Sequence, residues 1–117
     1  MQRDPRAYLW DAVQALELIA GFVVGRSRTD YLADAMLRSA VERQLEIVGE
    51  ALNQLAKVAP ELATAVPDLR RVVGLRNVLI HGYTSVDDQL VWQVATERAP
   101  ELLGVLRELL AGAADRP

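Results

Sequence analysis

The stretch from Asp34 to Ala59, DAMLRSAVERQLEIVGEALNQLAKVA, decides the fold. Its apolar residues recur in steps of three and four, which keeps one face of a helix apolar over about six turns. The residues on that face are Leu37, Val41, Leu45, Val48, Leu52, Leu55 and Ala59. The opposite face carries Glu42, Glu46 and Glu50. This pattern predicts a long amphipathic helix that packs against other helices.

The residues before this stretch predict one more long helix and a short turn. Asp4 is a good N-cap and Pro5 suits the first helical position, so we expect a helix to about Val24. Thr29 or Asp30 can cap a short turn that leads into the long helix.

The residues after Pro60 predict two further helices. Residues 60–67 are expected to form a connector, and a third helix should begin at Asp68 and end at Gly82. Asp87 or Asp88 can cap a fourth helix, which Pro100 should kink or restart. We expect residues 110–117 to form a frayed tail. The sequence therefore predicts a single all-α domain over residues 1–117, an antiparallel bundle of four main helices.

Composition excludes several classes of function. The chain of 117 residues supports one core, and its net charge of −3 and pI of about 5.1 give no global basic field. It has no cysteine and one histidine, which argues against a metal site built on these residues. It shows no signal peptide and no apolar run that could span a membrane. We expect a cytoplasmic protein with no metal, no cofactor and no membrane partner.

The third helix breaks its own pattern at Arg76. With about 100° per residue, Arg76 falls near the middle of the apolar face of this helix. Arg70, Gly74, Asn77 and His81 form a stripe at the edge of that face, where Gly74 leaves room for close approach. Positions where local rules fail are often functional positions.

Arginine and histidine without a metal suit phosphoryl transfer on RNA. Histidine can move a proton at the 2′-hydroxyl near neutral pH, and arginine can neutralise the phosphorane oxygens. A symmetric dimer across the third helices would bring two of each residue to one cleft. In a structural interpretation, His81 caps the helix end and Arg76 pairs with Glu46 or Glu50. Spacing alone favours that structural interpretation.

The segment GLRNVLIHGY, residues 74–83, resembles the signature of the HepT-like toxins of the HEPN superfamily. That signature is Arg, four residues, His, one residue and Tyr, usually with a polar residue after the Arg. The segment LEIVGEA, residues 45–51, resembles the second signature of the family. The resemblance covers about residues 6–110, and further matching positions are Val86-Asp87, Val91-Trp92 and Pro100-Glu101-Leu102.

The resemblance implies a helical bundle that dimerises across the motif helices, with larger assemblies left open. It also implies a metal-independent endoribonuclease that acts on tRNA or mRNA. Arg76 and His81 match the catalytic pair, and Asn77 matches the polar residue that orients them. Tyr83 matches the tyrosine that accepts AMP from a partner minimal nucleotidyltransferase. That partner serves as the antitoxin of a type VII-like toxin–antitoxin pair.

Two pairs of residues have less defined roles. Glu46 and Glu50 lie in the matching second helix, so they are expected to line the cleft or to pair with Arg76. Arg70 and Arg71 can contact RNA, and in a dimer they would offset the acidic pI.

Two alternatives to the ribonuclease hypothesis remain. The chain could be a non-catalytic helical partner that binds a minimal nucleotidyltransferase. It could also be a plain dimeric scaffold in which Arg76 is a structural ion-pair residue.

Overall fold

A computed structural model describes residues 3–114, without the side chains of residues 83, 113 and 114. No strand occurs in this described part of the chain, so the predicted all-α fold is confirmed. The helices are α1 (Pro5–Val23), α2 (Arg28–Ala33), α3 (Ala35–Val58), α4 (Pro60–Ala63), α5 (Leu69–His81), α6 (Asp88–Gln93) and α7 (Ala99–Ala114). A 3₁₀ turn, Tyr83–Ser85, follows α5, and a wider π turn, Val94–Arg98, joins α6 to α7.

Side-chain caps set the starts of three helices, α1, α3 and α6, at or near the predicted positions. Asp4 accepts a hydrogen bond from the Arg6 amide at 2.9 Å, and Asp34 accepts one from the Leu37 amide at 3.1 Å. The predicted cap of α2 is wrong. Ser27 caps it in a reciprocal box with Asp30, because the serine hydroxyl accepts the Asp30 amide while the Asp30 carboxylate accepts the Ser27 amide.

Helix α3 is the centre of the fold, since α1 and α5 both pack along it and α7 packs on α1. The predicted apolar face of α3 is buried throughout, from Leu37 to Ala59. The opposite face is only partly exposed at Glu42, Glu46 and Glu50. These acidic residues therefore lie beside neighbouring helices, and the solvated side of α3 is formed by other residues, such as Met36 and Arg43.

The C-terminal half differs from the prediction in two places. The expected connector contains a helical turn, because Pro60 occupies the first position of α4 and its missing amide costs nothing there. At Pro100 the chain starts a new helical segment, since α7 begins at Ala99, directly after the π turn. In that turn the Ala99 amide bonds to the Val94 carbonyl, five residues back. Helix α7 extends to Ala114, beyond the expected start of the tail at residue 110, and residues 115–117 lie outside the description.

Among the described residues, no helix is both long and apolar enough to cross a membrane.

Candidate active site on the motif helix

The side chains of α5 face the core, the neighbouring helix α3 and solvent. Leu79 is its only fully buried side chain among those described, and Val72 and Leu75 are half-buried against the core. The predicted stripe lies on the outer side, where Arg70, Gly74, Asn77 and His81 are all exposed. A Cβ added at Gly74 would meet no atom within 4 Å, so the stripe is open to an approaching molecule.

Arg76 packs against α3 at a glycine. A Cβ on Gly49 would lie 2.4 Å from the Cβ of Arg76 and 3.2 Å from the carbonyl oxygen of Val72. Only glycine therefore lets the two helices approach this closely. This contact explains how an arginine occupies the apolar face of α5, since the stem packs on α3 while the guanidinium reaches the surface.

Three polar side chains connect to the Arg76 guanidinium directly or through one another. Arg76 Nη2 lies 2.7 Å from Glu50 Oε2, and Nη1 donates to Asn77 Oδ1 at 2.7 Å. Gln54 Nε2 donates to the other Glu50 oxygen at 3.0 Å. The Glu50 contact is an ion pair without hydrogen-bond alignment, and Arg76 Nε is buried without a partner among the described residues. The guanidinium is thus held in place but keeps unused hydrogen-bonding capacity.

The two candidate glutamates on α3 have different ion-pair partners. Glu50 pairs with Arg76, whereas Glu46 lies 3.4 Å from Arg43 one turn away.

Gln54 was missed in the sequence analysis. Its position four residues after Glu50 is the signal that could have identified it, since side chains at that spacing meet on a helix.

His81 lies at the end of α5, on a different side from Arg76. It is exposed and makes no hydrogen bond or ion pair with any side chain that the structure describes. The helix ends at Gly82, whose amide bonds to the Val78 carbonyl at 2.7 Å. The predicted AMP acceptor, Tyr83, lies in the 3₁₀ turn that follows, and its side chain is outside the described part.

Two concave surfaces border α5. A polar groove of about 320 Å³ lies between α1, α3 and α5 and includes Arg76, Glu46 and Glu50. A larger cleft of about 510 Å³ lies between α5 and the α6–α7 arm, and its lining is mainly apolar but includes Arg71. Neither Arg76 nor His81 lines the larger cleft, whereas Arg76 lines the groove.

A second polar cluster joins α2, α3 and α6. The Tyr31 hydroxyl is buried without a partner among the described residues, and burial together with nearby carboxylates raises the tyrosine pKa. Burial also raises the pKa of Glu42, and the Asp88 carboxylate adds to that rise while Arg38 opposes it. Sequence analysis did not identify this cluster, because its members come from three separate helices.

The described residues contain no group of three or more histidine, cysteine, aspartate or glutamate side chains arranged to hold a metal ion.

Comparisons with known proteins converge on one family. The family described as "Ribonuclease HepT-like" matches residues 12–109. A protein of Caldanaerobacter subterraneus with a provisional RNase name is 35% identical over 108 residues, which is 92% of this chain and 96% of the relative. A protein of Thermococcus cleftensis named as a probable ribonuclease HepT is 35% identical over 109 residues, covering 93% and 98% of the two chains. No solved structure gives a significant match.

Proposed function

Because the chain belongs to the HepT-like ribonuclease family, we propose that it is a metal-independent endoribonuclease and the toxin of a toxin–antitoxin pair. Its substrate is tRNA or mRNA in the cytoplasm. The observation that carries the proposal is the geometry of Arg76, whose guanidinium is held by Glu50 and Asn77 at the wall of a polar groove. An exposed histidine follows it on the same helix.

Arg76 and His81 have different roles in the proposed cleavage reaction. The 2′-hydroxyl oxygen of the RNA attacks the adjacent phosphorus and the bond from phosphorus to the 5′ oxygen breaks. His81 takes the proton from the 2′-hydroxyl or gives one to the leaving 5′ oxygen, and water serves for the other proton transfer, so that a 2′,3′-cyclic phosphate and a 5′-hydroxyl are formed. Arg76 neutralises the charge that develops on the phosphorane oxygens, and Asn77 holds its guanidinium.

One chain contributes a single histidine, so the proposal includes a homodimer across the α5 helices. Arg76 and His81 lie on different sides of α5, and the exposed stripe with Gly74 at its centre leaves room for a second copy. A two-fold axis beside this stripe would bring His81 of one copy towards the site of the other. Larger assemblies of such dimers are compatible with this arrangement.

The proposed control is AMP addition to Tyr83 by a partner minimal nucleotidyltransferase. Tyr83 follows His81 by two residues, so a bulky anion there would lie beside the catalytic histidine. It would repel the RNA phosphates and block access to the site.

The test is cleavage of total tRNA in the presence of EDTA. We expect the unmodified wild-type protein to cleave and His81→Ala and Arg76→Ala to lose cleavage. Arg107→Ala is the matched control, because Arg107 is an exposed arginine paired with Glu17 on another face of the bundle. Intact mass measured on every sample reports AMP addition. Cleavage by His81→Ala at the wild-type rate would contradict the catalytic assignment.

A second candidate function is a non-catalytic partner for a nucleotidyltransferase. It is favoured by the apolar cleft beside α5, a surface of the kind that protein partners bury. This alternative expects a stable complex with the partner and no cleavage of any RNA by a wild-type protein of unmodified mass.

A further inference from the structure

The polar groove beside Arg76 extends well beyond the motif. It runs along α3 and is closed on one side by α1 and on the other by α5. Three arginine–carboxylate pairs line it, namely Arg3–Asp11 at 2.8 Å, Arg43–Glu46 at 3.4 Å and Arg76–Glu50 at 2.7 Å. Its volume of about 320 Å³ reaches the lower end of the range of roughly 300–1,000 Å³ for ligand pockets.

The pairs differ in how firmly they hold their arginines. The side chains of Arg3 and Arg43 are 52% and 68% exposed, whereas that of Arg76 is 24% exposed. Exposed ion pairs contribute little to stability, so a phosphate can replace their carboxylates at little cost. The less exposed Arg76 is therefore expected to keep its position, whereas Arg43 can exchange its Glu46 partner for a phosphate.

An aromatic ring lies in the same groove. Tyr8 on α1 lines it, and the Arg3 guanidinium sits 4.8 Å from the centre of the tyrosine ring. Arg3 therefore covers one face of this half-buried ring, and a nucleobase that stacks there takes the place of Arg3, whose ion pair with Asp11 is exposed. The groove therefore combines a stacking surface with guanidinium groups, two features of surfaces that bind single-stranded nucleic acids. The charges of its three arginines are balanced by Asp11, Glu46 and Glu50, so RNA phosphates must take the place of these carboxylates.

We propose that this groove binds the RNA strand next to the scissile phosphate. Tyr8 stacks one base, and Arg43 contacts a phosphate along the strand from the phosphate held by Arg76. Arg43 precedes Glu50 by seven residues, which is roughly 10 Å along α3, so the strand follows that helix. This inference rests on the proposed ribonuclease function and adds the binding site that the motif does not specify.

The experiment measures binding of a labelled single-stranded RNA to a His81→Ala protein, which is expected to bind without cleaving. In that background Tyr8→Leu should weaken binding by about 5- to 150-fold, because it removes a stacking surface, whereas Tyr8→Phe should keep it. Arg43→Ala should weaken binding and reduce the slope of log affinity against log salt by about 0.7. Arg107→Ala should change neither, since its exposed pair with Glu17 lies outside the groove.

Cleavage by the wild-type protein is measured in parallel, which separates the two proposals. If the wild type cleaves RNA but Tyr8→Leu or Arg43→Ala binds as the parent does, the groove assignment is wrong and the ribonuclease function stands. If the wild type neither binds nor cleaves RNA, both are wrong. Arg43 is exposed and can be changed without disturbing the core, so it decides the question if Tyr8→Leu does not fold.

Discussion

Replacing Gly49 with alanine tests how α5 is held against α3. The new Cβ would lie 2.4 Å from the Arg76 Cβ, and carbon atoms pack at about 3.5–4.0 Å, so α5 must move outward by about 1 Å. The atoms in the way are a Cβ and the Val72 carbonyl oxygen, not the flexible end of a side chain. The helix backbone itself has to shift.

The expected size follows from two opposing effects. Overpacking costs about 1–3 kcal/mol, and the upper end applies where backbone must move. Alanine in a helix interior gains about 1 kcal/mol over glycine. The net loss for Gly49→Ala is therefore about 2 kcal/mol, or about 8 °C in Tm at roughly 4 °C per kcal/mol for a chain of this size.

The matched control is Gly104→Ala in the interior of α7. A Cβ there meets no atom within 4 Å, so only the helix gain remains and Tm should rise by up to about 4 °C. Both variants are melted beside the wild type and followed by circular dichroism. A Tm for Gly49→Ala equal to or above that of the wild type would refute the reasoning. Cleavage gives a second readout, because a 1 Å misplacement of Arg76 is expected to cost about 100-fold in rate.

Three further predictions concern other parts of the bundle. Gly74→Ala should stabilise an isolated chain, since its Cβ enters open space, but should weaken self-association in sedimentation if α5 pairs with a second copy. Burial and Asp88 raise the pKa of Glu42 in the folded state, so part of the stability present below about pH 4 is lost as pH rises through that pKa. Urea unfolding should therefore show Glu42→Gln to be stabilising at pH 7 but not at pH 3. Tyr31→Phe removes a buried hydroxyl that has no partner in the described part of the chain and should leave Tm unchanged or higher, and a clear drop would indicate a hydrogen bond to that hydroxyl.

Local rules predicted most of the fold. The apolar face of α3, the cap Asp4 and the start of α3 near Asp34 depend on residues within one or two turns, and all are as expected. Of the two predicted candidates for the cap of α6, Asp87 is the one that caps it. The Ser27 cap was available from the same kind of reasoning, because serine followed three residues later by an acid is a capping signal. The helical turn at Pro60 was missed because only four residues form it.

The site was predictable only in part. The misplaced charge of Arg76 was visible in the periodicity of α5, and one of two candidate glutamates is its partner. The close contact at Gly49 could not be derived, because periodicity gives the face of each helix but not the distance between helices. The groove also depends on pairing between α1 and α3, which no local pattern encodes.

Helix α5 owes its position mainly to a single neighbour. It packs on α3, buries only Leu79 completely among its described side chains, and borders the polar groove, the apolar cleft and solvent elsewhere. An element with so few buried contacts opens at lower free energy than the core around it. A second copy or a protein partner that covers the exposed side of α5 would therefore stabilise the placement of Arg76 as well as the assembly. If the proposed ribonuclease works as a dimer, its activity should fall on dilution together with the dimer fraction, while the helical content of the chain remains.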